Sequence, residues 1–451
     1  MSADVLLGPG LALWVLAGLV LAWRRAATGT KGTGLVYTHL LGLATLHWFP
    51  ALLYVMPWTD LRNVTLVAAG LNQSVVAACA FVAGSVLVVP FLERVVMVAP
   101  ATGPRVEPVD LGPLYIGLGV VFYALRSVSA LALPTLSAIL ATGQSVLVVG
   151  LCLMVWKAWV NGRPRRVAAL LAAALCLPFV TIVNSGFMGY GAVATLVVIA
   201  FFTSLVRPRP AVLVGWLALV YLGLSFYVGY MRDRTEIRDA VWGGSSLEVR
   251  LGRMADTLAQ FEGFDMGNPM HVAAVNGRLN QDIFIGIATE RLRLRVGEDY
   301  AWGGTFVEAL LSLVPRALWP EKPVFGGSGD LMTRYTGIRF AEGTSIGIGQ
   351  VMEFYVNFST IGVALGFLAM GTALTLLDST ARRRLDRGDP EGFALAFVVG
   401  LAFLQAGGSL VEVAGSVGAG AVIVILINWA YRDLWVRQAP GPSHPAVRPV
   451  A

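Results

Sequence analysis

Eleven runs of roughly twenty apolar residues decide what this chain can fold into. They cover residues 5–23, 33–56, 65–91, 111–133, 135–159, 167–184, 190–206, 211–230, 346–377, 392–408 and 416–431. A helix needs about 20 such residues to cross the hydrocarbon layer of a membrane. Inside that layer the backbone must satisfy its own hydrogen bonds, which leaves helices or closed barrels. Only 13% of the residues are charged, where soluble domains carry about 25%. The expectation is an all-α polytopic membrane protein with about 11 transmembrane helices. Cys79, Cys152 and Cys176 all fall inside apolar runs, so they read as packing residues rather than as a disulfide or zinc site.

Charge between the runs predicts orientation. One alternate set of connections holds eighteen basic residues, among them Arg24, Arg25, Lys157, Arg163, Arg382 and Arg432, while the short connections of the other set hold one, Arg62. The bias predicts an N-terminus outside and a C-terminus in the cytoplasm. The first run has no basic residue before it and Arg24–Arg25 after it, the reverse of a cleaved signal.

Residues 231–345 form a connection too long for a turn. They hold thirteen basic and fifteen acidic residues, so the segment is not a simple cationic patch. Leu247, Leu251, Met254, Leu258 and Phe261 recur at helical spacing behind Ser246, a candidate cap. Further helices are expected over 278–295 and 305–318. The domain reading is therefore residues 1–230 as transmembrane helices 1–8, 231–345 as a large extracytoplasmic helical loop, 346–436 as helices 9–11, and 437–451 as a disordered cytoplasmic tail.

Polar groups inside the spans gather toward the loop's side. They are Arg126, His47, Asn72, Gln73, Asn184, Glu353 and Asn357, with His39 the exception. Such residues are costly in lipid and usually have partners or work. Arg126 reads as a snorkelling side chain or a substrate contact, and His47 as a packing or binding histidine. A transporter needs a polar path with a site near the midplane. Polar groups on one face point instead to chemistry at that face.

The loop carries 315-PRALWPEKP-323, and 349-GQVMEFYVNFSTIGVALGFLAMG-371 follows. Together these segments resemble the Wzy-type O-antigen and oligosaccharide repeat-unit polymerases. That family shows a Pro-Arg-x-x-Trp-Pro-x-Lys-Pro segment in its large outer loop. A Glu-aromatic-aromatic-x-Asn-Phe segment then opens the next span. The corresponding positions are Pro315, Arg316, Trp319, Pro320, Lys322 and Pro323, then Glu353, Phe354, Tyr355, Asn357 and Phe358. Ser359 stands where the family often has glycine.

The resemblance implies a metal-independent, GT-C-like membrane glycosyltransferase without a cofactor. It would work at the outer face of a bacterial inner membrane, for surface polysaccharide or exopolysaccharide assembly. Its partners would be an undecaprenyl-pyrophosphate-linked glycan donor and acceptor and the surrounding membrane lipids, beside a flippase and a chain-length regulator, with no nucleic acid. Guanidinium groups pair with phosphate oxygens, so Arg316 and Arg278 are expected to hold the pyrophosphate. Lys322, Arg126, Arg232, Trp319, Asn357 and His47 are the further substrate-binding candidates, and Glu353 is the candidate base or positioner of the acceptor hydroxyl. The rival for the hook is an interfacial anchor. The rivals for the function are an O-antigen ligase-like transferase and a lipid-linked sugar flippase. No paired acids or histidine motif suggests a metal site.

Overall fold

The computed structural model describes residues 2–95, 110–126, 134–206, 210–295, 297, 299–314, 318–323, 327–340 and 346–432. Among these residues the protein is helical and has no strand. The first half contains α1 (Ala3–Thr28), α2 (Leu35–Leu43), α3 (Phe49–Leu53), α4 (Val64–Ala83), α5 (Val89–Val95), α6 (Leu111–Arg126), α7 (Pro134–Val160), α8 (Pro164–Leu175), α9 (Leu177–Ser185) and α10 (Gly189–Leu205). Then follow α11 (Pro210–Trp242), α12 (Leu247–Ala259), α13 (Pro269–Leu279), α14 (Asp282–Arg293), α15 (Gly304–Ser312), α16 (Ser328–Thr336), α17 (Gln350–Asp386), α18 (Pro390–Ala402) and α19 (Leu410–Tyr431).

A π-helical turn, Ala44–Trp48, joins α2 to α3, and a second, Gly84–Val88, joins α4 to α5. Every one of the eleven apolar runs is thus helical over most of its described length. Among the described residues, seven helices are long and apolar enough to cross a membrane, and three shorter apolar helices accompany them. The chain is a membrane-embedded all-α protein.

α4 and α17 form the centre. Glycines let the backbones touch along this seam: a Cβ on Gly84, at the start of the π-helical turn that continues α4, would lie 2.2 Å from the Leu368 carbonyl oxygen, and one on Gly371 of α17 would lie 2.1 Å from that of Phe81. Without hydrophobic drive between helices in lipid, close packing of this kind holds spans together. Phe81, Phe367, Phe393, Phe397 and Phe201 fill the space around the seam. On the side away from the loop, Asp378 of α17 is fully buried. It accepts from Arg25 Nη2 at 2.9 Å, from the Thr33 amide and hydroxyl at 2.7 Å, and from the Leu35 amide at 3.2 Å.

The long connection departs from the expected layout in four ways. α11 does not stop near residue 230 but continues unbroken to Trp242. The helix expected over 278–295 starts at Asp282, because Asn280 is extended (ψ 91°), so Arg278 falls in the last turn of α13. α15 ends at Ser312, and α13 and α16 are additional helices. The helix behind Ser246 is present as expected, with the Ser246 hydroxyl accepting from the Val249 amide.

The connection is also not a separate body. α14 packs lengthwise on α4, again through glycine. A Cβ on Gly70 would lie 2.0 Å from the Asp282 carbonyl oxygen, and one on Gly286 would lie 2.1 Å from that of Leu66. The pairing 66 with 286 and 70 with 282 makes the two helices antiparallel. The α14 N-terminus therefore reaches about four residues, or roughly 6 Å, further along α4 than Gly286 does.

α17 breaks internally. Phe358 (φ −141°, ψ 30°) and Ser359 (φ 57°, ψ −155°) leave helical geometry and divide a short first segment from the long remainder. Ser359 occupies backbone space that is nearly glycine-only, at the position where the resembled segment usually has glycine.

Candidate functional site

After Tyr230 the sequence turns from apolar to 231-MRDRTEIRDAVW-242, with no glycine or proline until Gly243. Nothing there interrupts the helix, so α11 carries its charged segment on the same rod as its apolar one. Tyr227, Tyr230, Arg234 and Arg238 recur at helical spacing and share a face. This face binds the turn after α9, where Gly186 (φ 75°) ends the helix. The Tyr230 hydroxyl donates to the Gly186 carbonyl at 2.7 Å, Arg238 Nε to the same oxygen at 3.2 Å, and Trp242 Nε1 to the Ser185 carbonyl at 3.2 Å. The Arg238 guanidinium lies over the rings of Phe187 (4.4 Å) and Trp242 (5.1 Å). The 185-SGFMGYGA-192 segment therefore faces α11 with carbonyls, as a bound turn.

α13 lies against α11 and α3, held by Val272 and Val275 packing with Leu53 and Val228. It brings Arg278 into the field of Arg234, Tyr227 and Tyr230. Burial, followed by the Arg234 charge, pulls the Arg278 guanidinium below its ordinary value. Arg238 lies within range of both Arg234 and Arg278. Three guanidinium groups from two elements thus lie within electrostatic range of one another, and among the described residues none forms an ion pair with a carboxylate. Like charges gathered this way repel one another and favour an anion between them. Arg232 is different. Its Nε and Nη2 bind Asp233 at 2.8 and 2.9 Å, and its Nη1 binds the Gln260 carbonyl at 3.0 Å.

A second polar centre lies where the connection enters the bundle. His47 sits in the π-helical turn and Asp282 at the start of α14; both are fully buried, and Nδ1 meets Oδ1 at 2.7 Å. The Gln281 amide donates to the Leu46 carbonyl at 3.1 Å, which fixes this corner to the same turn. Among the described residues, His47 Nε2, Asp282 Oδ2 and Gln281 Oε1 are buried without a hydrogen-bond partner. The extended residues before α17 pair with the break between α18 and α19: Gly349 donates to Gly407 and Gln350 to Ala406, each at 3.1 Å.

Glu353 belongs to this wall. It is fully buried, and its Oε2 accepts from the Leu410 amide at 2.7 Å. It thereby caps the N-terminus of α19, where a carboxylate is favoured by the helix dipole. The charged groups whose field it feels are the carboxylates of Glu412 and Glu308. Asn357 is fully engaged. Its Oδ1 accepts from the Gly303 amide at 3.0 Å, and its Nδ2 donates to Thr305 Oγ1 and the Glu353 carbonyl, both at 2.7 Å. It pins the start of α15 to α17.

The hook closes on itself. Lys322 Nζ donates to the Ser312 and Val314 carbonyls at 2.6 and 2.8 Å, and its amide to the Trp319 carbonyl at 3.1 Å. The ammonium therefore caps the end of α15, a stabilising position for a cation. Trp319 is half-buried, whereas Leu310, Leu313 and Leu318 around it are exposed, as an interfacial anchor would be. Arg316 lies outside the described residues, as do the side chain of Arg126 and the tail over 437–451.

The structure thus places Arg278 within electrostatic range of Arg234 and Arg238, neither of which the sequence reading kept among its site residues. The signal was present in the spacing 227, 230, 234, 238, but it was hidden once the span was taken to end at 230. It joins His47 to Asp282. It places Glu353, Asn357 and Lys322 in contacts within the protein, apart from the arginine cluster. Among the described residues no group of three or more His, Cys, Asp or Glu side chains could hold a metal ion. No family model, curated protein or solved structure matches this chain.

Proposed function

We propose that the protein is a membrane glycosyltransferase that polymerises undecaprenyl-pyrophosphate-linked oligosaccharide repeat units, with eleven spans and the 231–345 connection on the outer face of the cytoplasmic membrane. The observation that carries this reading is the cluster of Arg234, Arg238 and Arg278, three cations that form no ion pair with a carboxylate among the described residues. It stands in the connection that also bears the polymerase-like 315–323 segment. A diphosphate at an interface is the anion that such a cluster suits. Each charge-assisted hydrogen bond contributes about 1.5–3 kcal/mol. In transfer, the acceptor hydroxyl attacks the sugar carbon, the bond to the pyrophosphate oxygen breaks, and negative charge builds on that oxygen. Fixed cations there stabilise the transition state more than the ground state.

Arg316 remains a candidate beside the cluster, and Glu353 is read as a positioning residue that holds α19 against α17. Purified protein reconstituted with one lipid-linked repeat unit tests the reading. A ladder of chain lengths on a gel is the expected product, lost in Arg234→Ala and Arg278→Ala while both variants still insert. Absence of any polymer from the wild-type protein, or unchanged ladders in both variants, overturns it. Transfer of a finished glycan to an unrelated acceptor, without chain growth, would identify a ligase.

A further inference from the structure

The apolar part of α11 is the barest of the long helices: only 11% of its most apolar stretch is buried, against 61% for the corresponding stretch of α7. Its bareness is organised. Leu213, Trp216, Val220, Gly223 and Tyr227 follow one another at intervals of three and four residues, which keeps them on one face. The same spacing continues upward to Arg234 and Arg238. Leu213 and Val220 are 64% and 39% exposed, Trp216 and Tyr227 are half-buried, and a Cβ on Gly223 would meet nothing within 4 Å. The result is a shallow apolar stripe, notched at Gly223, that runs straight into a cluster of cations.

We infer that this stripe seats the hydrocarbon chain of a polyprenyl diphosphate whose headgroup lies between Arg234, Arg238 and Arg278. The inference rests on the proposed function and names where its donor lipid would lie. Two features select this lipid over an ordinary phospholipid. The stripe from Leu213 to Tyr227 covers fifteen residues, whose fourteen rises span about 21 Å of helix. That exceeds a single leaflet, which is half of a hydrocarbon core about 30 Å thick. A long isoprenoid chain can follow it, whereas a diacyl chain ends sooner. Three guanidinium groups that form no ion pair with a carboxylate among the described residues also match a diphosphate better than a single phosphodiester.

Binding to the purified full-length protein in detergent tests this, with undecaprenyl diphosphate, dimethylallyl diphosphate and a phosphatidylglycerol competitor as probes. Undecaprenyl diphosphate is expected to bind at least tenfold more tightly than the five-carbon probe. Arg234→Ala is expected to weaken both. Gly223→Trp and Val220→Trp, which fill the notch with apolar bulk at open positions, are expected to weaken the long-chain probe at least tenfold and leave the short one unchanged. Val214→Trp, on the opposite face, is the control for added bulk.

Equal affinity for long and short probes overturns the inference. So does full retention of long-chain binding in both stripe variants, or equal competition by phosphatidylglycerol, which would mean general attraction to anionic lipid. Having two stripe variants keeps the test decisive if one misfolds. Chain-dependent binding without any polymer would sink the enzymatic reading and leave the lipid site standing. Polymer formation without chain-dependent binding would do the reverse.

Discussion

His47 Nδ1 and Asp282 Oδ1 meet at 2.7 Å although 235 positions separate them in the chain, and both side chains are fully buried. Removing one member of such a pair leaves the other desolvated without its partner, at a cost of about 3–5 kcal/mol. Asp282→Ala is therefore expected to lower the thermal transition of the detergent-purified protein steeply. Asp282→Asn, which retains an acceptor for Nδ1–H, should lose clearly less. Size-exclusion profiles after a heating series measure both; equal losses would mean that the hydrogen bond to His47 contributes little.

The two glycine contacts between α4 and α14 should behave as one unit with that pair. Gly286→Ala drives a Cβ toward the Leu66 backbone, which cannot yield as a side chain tip would. Overpacking of this kind costs about 1–3 kcal/mol. Because it also lifts Asp282 from His47, its effect should be less than additive with Asp282→Ala. A double-mutant cycle with zero coupling would separate the two contacts.

Ser359→Gly is expected to stabilise the protein by about 1 kcal/mol. The serine is held at φ 57°, ψ −155°, where a side chain is strained by about 1–3 kcal/mol. Glycine also gains freedom in the unfolded chain, which offsets part of this relief. A lowered thermal midpoint would show that the hydroxyl, not the backbone, decides this position.

On the side away from the connection, Asp378→Ala should rank among the most damaging polar substitutions. It strips acceptors from Arg25, from the Thr33 amide and hydroxyl, and from the Leu35 amide at once. A loss of at least about 3 kcal/mol is expected. Gly32→Ala should mimic it in part, because its Cβ would fall 2.1 Å from Asp378 Oδ2. Comparable yield and melting of Asp378→Ala and wild type would refute the idea that this corner ties α1 to α17.

Lys322→Met is expected to loosen the end of α15, with faster proteolysis just beyond that helix, and, under the proposed function, to reduce polymer length without abolishing transfer. Its ammonium serves the Ser312 and Val314 carbonyls. Complete loss of transfer with an undisturbed proteolysis pattern would return Lys322 to the substrate.

The helices were legible because length and apolarity act locally: each of the eleven runs could be read on its own. The cap at Ser246 was legible for the same reason. What stayed hidden involves distant residues or subtle breaks. Nothing near Glu353 in sequence announces that Leu410 will supply its hydrogen bond. Asn280 interrupts a pattern that otherwise reads as one helix over 278–295, so Arg278 was placed on the wrong element. The π-helical turn that carries His47 leaves no mark in the spacing of apolar residues. Charge counting also treated all arginines alike, whereas Arg232 is bound by Asp233 and Arg234 is not.

The docking of α14 against α4 has a consequence for how the chain is made. During synthesis α2 and α4 emerge long before residue 282 exists, so His47 and the bare backbone at Gly70 wait without the surface that will cover them. The bundle's first helices are completed by a segment threaded back among them late. A chain truncated before Asp282, or the connection expressed by itself, lacks half of that joint.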